Sequence, residues 1–172
     1  RIDDAARVAF AAVERQPSSV PALEQLASVL ADVGDRDRLM PVVTRLRAVA
    51  PAADPTRYYA ASLLFMEGRA ELAIGEARAL VAGNPTHARG YNLLGAALAT
   101  TGRRDEAREA FQASLRIDPR DPSTYTNLAL LELDGGNRAA GMQRLAEALT
   151  LDPASPAARE AFDRERARTP RR

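Results

Sequence analysis

Residues able to do acid–base or metal chemistry are few and scattered in this 172-residue chain. His87 is the single histidine, and no cysteine is present. A general base needs a partner that orients it, and a transition-metal site needs several nitrogen or sulfur donors. The absence of cysteine excludes disulfides and thiolate metal sites, and one histidine is too few donors for a transition-metal site. His87 lies just after Pro85, between periodic stretches, where an imidazole serves as a helix cap or a solvated side chain. Carboxylates such as Asp105 and Glu106 open a helical stretch, where they complement the positive helix end. No Gly-x-x-x-x-Gly-Lys-Ser/Thr loop occurs, and no glycine fingerprint follows a strand, so nothing is built to cradle a phosphate. No cofactor, metal or catalytic residue is expected.

Charge narrows the partners further. The 24 basic residues are all arginine and face 23 acidic ones, for a formal net charge of +1. Arg36 and Arg38, Arg45 and Arg47, and Arg103 and Arg104 stand among Asp35, Asp37 and Asp105, as solvated turns and helix pairs do. The basic stretch from Arg164 to Arg172 is diluted by Glu165 and preceded by Asp163. No aromatics alternate with these arginines to stack bases. Neither nucleic acid nor an anionic membrane is therefore an expected partner. No apolar run approaches the roughly 20 residues that span a bilayer. The chain lacks an initiator methionine and a signal-peptide pattern, which suggests a piece of a longer protein that continues upstream. Abundant alanine with arginine in place of lysine suggests a GC-rich bacterial source. Cytoplasm and periplasm both remain open.

The elements that position any site come from a repeat. Gly34, Gly68, Gly102 and Gly136 recur every 34 residues, and so do Pro51, Pro85, Pro119 and Pro153. Between them, Tyr91, Gly95 and Leu98 lie on one helical stripe, and Ala107, Phe111 and Ser114 lie on a second. Shifted forward by 34, this set becomes Tyr125, Ala129, Gly141, Leu145 and Ala148. Shifted back, it becomes Ala61, Leu64, Ala73, Ala77 and Leu80, and then Leu23, Ala27, Leu30, Leu39, Val43 and Leu46. Small residues admit a neighbouring helix and large ones fill the gap. Each Xaa-Pro ends the second helix, because the residue before proline avoids helical angles.

This order of large and small residues resembles the tetratricopeptide repeat, a helix–turn–helix unit of 34 residues. The resemblance covers nearly the whole chain. It implies an all-α fold, an α-solenoid in which antiparallel helix pairs coil into a right-handed superhelix with a concave face. The expected organisation is one array over 1–172. Residues 1–19 supply the second helix of a truncated repeat; full repeats cover 20–53, 54–87, 88–121 and 122–155; a capping helix covers 156–168 and a tail 169–172.

Local signals refine each unit. Asp3 is a candidate cap for a first helix carrying Val8, Phe10 and Val13. Pro41, beside Met40, predicts that the helix over 38–49 begins late or bends. Leu39 replaces the usual alanine and predicts wider helix spacing. Asp54-Pro55 reads as a cap followed by proline at the first helical position. Gly75 marks either a soft place or a close helix contact, at about 1 kcal/mol relative to alanine. Asp121 and Asn137 are expected caps. The outer positions Arg159 and Asp163 of the last helix are polar, as an array end requires.

The resemblance also implies where binding occurs, on the first helix of each unit beside the packed stripe. Carried onto this chain, those positions include Tyr58, Tyr59, Ser62, Phe65 and Met66, then Arg89 and Asn92, then Asn127 and Leu130. Aromatics and methionine are enriched at binding hot spots. Asparagine amides can both donate to and accept from an extended peptide backbone. Family clamps for a terminal carboxylate use lysine or arginine with asparagine. The matching positions here are Glu24, Ser28, Tyr59, Arg89 and Leu93, and of these only Arg89 fits. The function implied is a non-catalytic scaffold that binds a peptide segment or partner protein in its concave groove. Two alternatives are a regulatory or targeting region of a larger bacterial enzyme or polysaccharide-export protein, and self-association through the N-terminal half repeat.

Overall fold

Every complete helical pair turns on the same backbone device. Gly34, Gly68, Gly102 and Gly136 take φ values of 71°, 74°, 78° and 82°, a left-handed conformation that side-chain-bearing residues resist. The amide of the following residue then reaches back to close the helix end. Asp35, Arg69, Arg103 and Asn137 donate to the carbonyls of Leu30, Leu64, Leu98 and Glu132 at 2.9–3.0 Å. This Schellman arrangement satisfies carbonyls that a helix end leaves open. Its fourfold recurrence at one spacing is the repeat written in the backbone.

The computed structural model describes residues 2–168, with side chains from residue 4 onward. The tail expected at 169–172 lies outside the described residues. Among the described residues the chain is all α, with ten helices and no strand. They are α1 (Ile2–Arg15), α2 (Val20–Asp32), α3 (Arg36–Val49), α4 (Asp54–Met66) and α5 (Ala70–Gly83), followed by α6 (Ala88–Thr100), α7 (Arg104–Ile117), α8 (Pro122–Asp134), α9 (Arg138–Leu151) and α10 (Pro156–Ala167).

The helices form two compact units, Arg1–Pro85 and Thr86–Arg172. In the first, α2 packs on α1 and α3, and α4 packs on α2, α3 and α5. In the second, α8 packs on α6, α7 and α9, and α10 closes on α8 and α9. Each unit is thus a stack of antiparallel helix pairs, the local architecture of an α-solenoid. No pair buries its apolar stripe alone, so neighbours must cover it. In unit 1 the core gathers Leu23, Leu26, Leu30, Leu39, Val43, Leu46 and Tyr59. Around α10 the core of unit 2 gathers Ala129, Leu145, Ala148, Ala158 and Ala161.

Several local expectations need correction. Helix α3 neither begins late nor waits for Pro41; it starts at Arg36 and carries the proline inside. Asp35 caps it by accepting from the Arg38 amide at 3.0 Å, which fixes the entry five residues before the proline. Helix α1 already includes Asp3, so that residue does not precede the helix as a cap. Asp54 is likewise inside α4, whose cap is Ala53 with no side-chain bond. Its carboxylate instead accepts from Asn84 Nδ2 at 2.6 Å, tying the start of α4 to the end of α5. Gly75 is no close contact, because a Cβ there would meet open space. Leu39 is fully buried, and α2 and α3 approach each other over less of their length than later pairs do. Of the three apolar α1 residues offered by the half repeat for self-association, Val13 is buried in the core and Phe10 is half-buried. Val8 alone is well exposed, at 60%.

Candidate interaction surface

On α4 the five candidate residues divide by depth. Tyr59 is only 2% exposed and belongs to the core of unit 1. Tyr58 lies edge-on to it, with ring centres 5.0 Å apart and planes at 80°, an arrangement that aligns ring edge with ring face. Ser62 is buried too, and its hydroxyl donates to the Tyr58 carbonyl at 3.0 Å. That leaves Tyr58, Phe65 and Met66, all half-buried, as the accessible part of the α4 cluster. Met66 also lines an open depression of about 510 Å³ with the turn Gly34–Asp37.

Unit 2 contributes the amides. Asn127 Nδ2 on α8 donates to Asn92 Oδ1 on α6 at 2.9 Å. The bond fixes both side chains, leaving donor protons on each nitrogen and lone pairs on the Asn127 oxygen. Leu130 follows one turn later on α8 and is 39% exposed. Arg89 is exposed one turn before Asn92 on α6. The structure therefore brings Asn92 and Asn127 together with an apolar neighbour on one unit, and Tyr58, Phe65 and Met66 together on the other.

His87 is the cap of α6, where Nδ1 accepts from the Gly90 amide at 2.9 Å. That use of the ring nitrogen is structural. Among the described residues no group of three or more His, Cys, Asp or Glu side chains could hold a metal ion, and no helix is long and apolar enough to cross a membrane.

Unit 2 also holds polar contacts between helices. Glu132 occupies the register position of Leu30, Leu64 and Leu98, and accepts from Arg108 Nε at 3.0 Å. This hydrogen bond to Glu132 raises the Arg108 pKa above its ordinary value; burial opposes it, and Asp105 at 2.9 Å adds to it. A second contact repeats at the 34-residue spacing. Arg104 donates to the Leu131 carbonyl at 3.5 Å, and Arg138 to the Glu165 carbonyl at 2.6 Å. The Glu165 carboxylate is buried and also meets Arg138 at 3.4 Å and Arg168 at 3.0 Å. A charged residue at a position that is leucine in the other units was the available signal for Glu132. Nothing in the spacing announced Glu165.

The family model described as tetratricopeptide repeat matches residues 88–121. No curated protein matches the sequence. Among solved structures, the chain is similar to TTC0263, a thermophilic tetratricopeptide-repeat protein of Thermus thermophilus, with TM-score 0.84 and 21% identity over 97% of this chain and 91% of that one. It is also similar to MamA of Desulfovibrio magneticus RS-1, with TM-score 0.64 and 21% identity over 90% and 88%. A chain of the APC/C hetero-tetramer Cut9-Hcn1 has TM-score 0.79 at 16% identity, covering 92% of this chain but 30% of that one. At these identities the likeness is one of fold.

Proposed function

We propose that the chain, whose residues 88–121 match the tetratricopeptide-repeat model, is a non-catalytic scaffold that binds a segment of a protein partner through its first helices. Proteins of this family typically bind other proteins and are typically non-catalytic. The observation that carries the reading is the Asn92–Asn127 bond between α6 and α8. Two amides locked together present a donor beside an acceptor, the complement of a peptide group's carbonyl and N–H. Leu130 beside them offers apolar area for a side chain of the same segment. An extended strand exposes its backbone groups, whereas a helix has already used them, so the segment bound here is extended. On unit 1, Tyr58, Phe65 and Met66 are the second surface assigned to partner contact. Tyr59 and Ser62 support it from within, and Arg89 flanks the amides.

The test is site-specific photo-crosslinking from position 130, with position 72 on α5 as an exposed control, followed by binding of the captured segment to purified variants. Asn92→Ala with Asn127→Ala should weaken that binding by about tenfold or more, the scale of a pair of hydrogen bonds. Capture only from position 72, or unchanged binding by the double variant, would remove this surface from the reading.

A further inference from the structure

The 34-residue register allows one place to be inspected in both units. In unit 1, Arg47 on α3 meets Glu76 on α5 at 2.9 Å, an opposite-charge pair between consecutive second helices. Two repeats later, the position of Glu76 is held by Arg144 on α9. The position of Arg47 is held by Leu115 on α7, and Arg116 follows it. Where unit 1 closes the space with a cation and an anion, unit 2 sets two cations around it.

Between these cations lies an open depression of about 290 Å³, lined by Gln112, Leu115, Arg116, Tyr125, Leu128 and Arg144. The Arg144 guanidinium lies over the Tyr125 ring at 5.9 Å from its centre, and its Nη1 meets Glu147 at 2.8 Å. Stack and ion pair together hold the fork in place before any ligand arrives. Tyr125 is itself anchored, because its hydroxyl donates to the Pro119 carbonyl at 3.3 Å. Arg116 is exposed in the last turn of α7 and forms no ion pair among the described residues. Leu128 is buried beneath and Leu115 half-buried beside them.

We propose that this depression docks an acidic segment of a protein partner, through a glutamate or aspartate side chain flanked by apolar residues. Guanidinium forks match the two oxygens of a carboxylate, and such charge-assisted bonds are roughly twice as strong as neutral ones. A bound carboxylate also balances positive charge from Arg116 and Arg144, of which only Arg144 has an anionic partner among the described residues, Glu147. The leucine floor favours a peptide over a small inorganic anion, since it gives the latter nothing to bury. The site uses none of the residues assigned to the first-helix surface, so the two readings stand or fall separately.

The experiment measures fluorescence anisotropy of a labelled peptide of alternating leucine and glutamate pairs against the full chain, beside its leucine–glutamine counterpart. The glutamate peptide should bind at least about tenfold tighter than the glutamine one, with affinity falling as salt rises. Arg116→Gln, an exposed change that leaves the fold intact by circular dichroism, should weaken binding by about tenfold, and Arg144→Gln by as much or more. Arg47→Gln in unit 1 should leave it unchanged. Equal binding of the two peptides, no effect of Arg116→Gln, or equal loss with Arg47→Gln would overturn the proposal. So would displacement by inorganic phosphate at the concentration at which unlabelled peptide displaces.

Discussion

In the α2–α3 pair of unit 1, the register position that holds Ala107 and Gly141 in unit 2 is filled by Leu39, fully buried. Unit 2 reverses the assignment of volume. Gly95 on α6 lies so close to α7 that a Cβ there would sit 2.6 Å from the Phe111 ring. Gly141 on α9 lies so close to α8 that a Cβ would sit 2.6 Å from Leu133 Cγ and 3.1 Å from the Ala129 carbonyl. One hairpin is kept apart by a leucine, and others are drawn together by glycine. Both fill their interior, because a core constrains total volume more tightly than the residue that supplies it. The corner is indifferent to the exchange, as Gly34 and Gly102 keep the same left-handed turn.

The largest expected effect probes the leucine side of this contrast. Leu39→Ala removes a fully buried side chain from a pair already spaced for it, and should cost about 2–5 kcal/mol in urea unfolding. A loss well under about 2 kcal/mol would mean that α2 and α3 collapse to the spacing of later pairs, and the difference between the units would be plastic. The glycine side comes next. Gly95→Ala should cost about 1–3 kcal/mol, because an aromatic ring in a packed core cannot step aside as a flexible chain end would. Adding Phe111→Leu to that variant should return part of the loss, and a double-mutant cycle measures how much. Strict additivity would show that the ring is not the obstacle.

How far this contrast was legible in the sequence depended on the kind of interaction. The corner glycines, the helix-ending prolines and the buried positions around Ala107, Phe111 and Ser114 followed from one period. Helix entries followed only in part, because capping is decided by which side chain reaches an amide: Asp121 and Asn137 cap α8 and α9 as expected, but other entries differ. Asp35 capped α3 ahead of Pro41, whereas Asp54 turned to Asn84 instead of its own helix. Depth on α4 was also illegible. Tyr58 and Tyr59 are adjacent, and periodicity alone could not say which one enters the core. Charge contacts between helices, such as Arg108 with Glu132 and Arg138 with Glu165, depend on side-chain reach over more than 20 residues of chain, which no local pattern encodes. The candidate surface was therefore legible as positions, while its division into accessible and buried members was not.

Gly75 offers a counterexample of the opposite sign. It sits inside α5, and a Cβ there meets nothing within 4 Å. Gly75→Ala should therefore stabilise unit 1 by up to about 1 kcal/mol, through backbone entropy and helix propensity alone. Set beside Gly95→Ala, it separates glycines required by helix approach from glycines merely tolerated. A loss of stability at position 75 would mean that α5 packs more tightly than its open surroundings imply.

The smallest effect compares one corner across the units. Asp35 caps α3, whereas its register counterpart Arg103 precedes α7 with no side-chain cap. Hydrogen bonds from the Arg38 amide, and then from the Arg38 side chain, hold the Asp35 carboxyl below its ordinary value. A carboxyl with a lower pKa in the folded state contributes stability that is present above the unfolded value of about 3.9 and lost as pH falls through the folded value. Asp35→Asn keeps an oxygen for the amide but removes the charge and the titration. The variant should thus melt slightly below the parent at pH 7, and the gap should narrow as pH falls below the unfolded value. Solvent screening at this exposed corner keeps the gap small. A gap that never narrows as pH falls would assign the contribution to shape alone, and Asp35 would then do no more for α3 than Asn137 does for α9, where an uncharged amide accepts from the Ala140 amide at 3.4 Å.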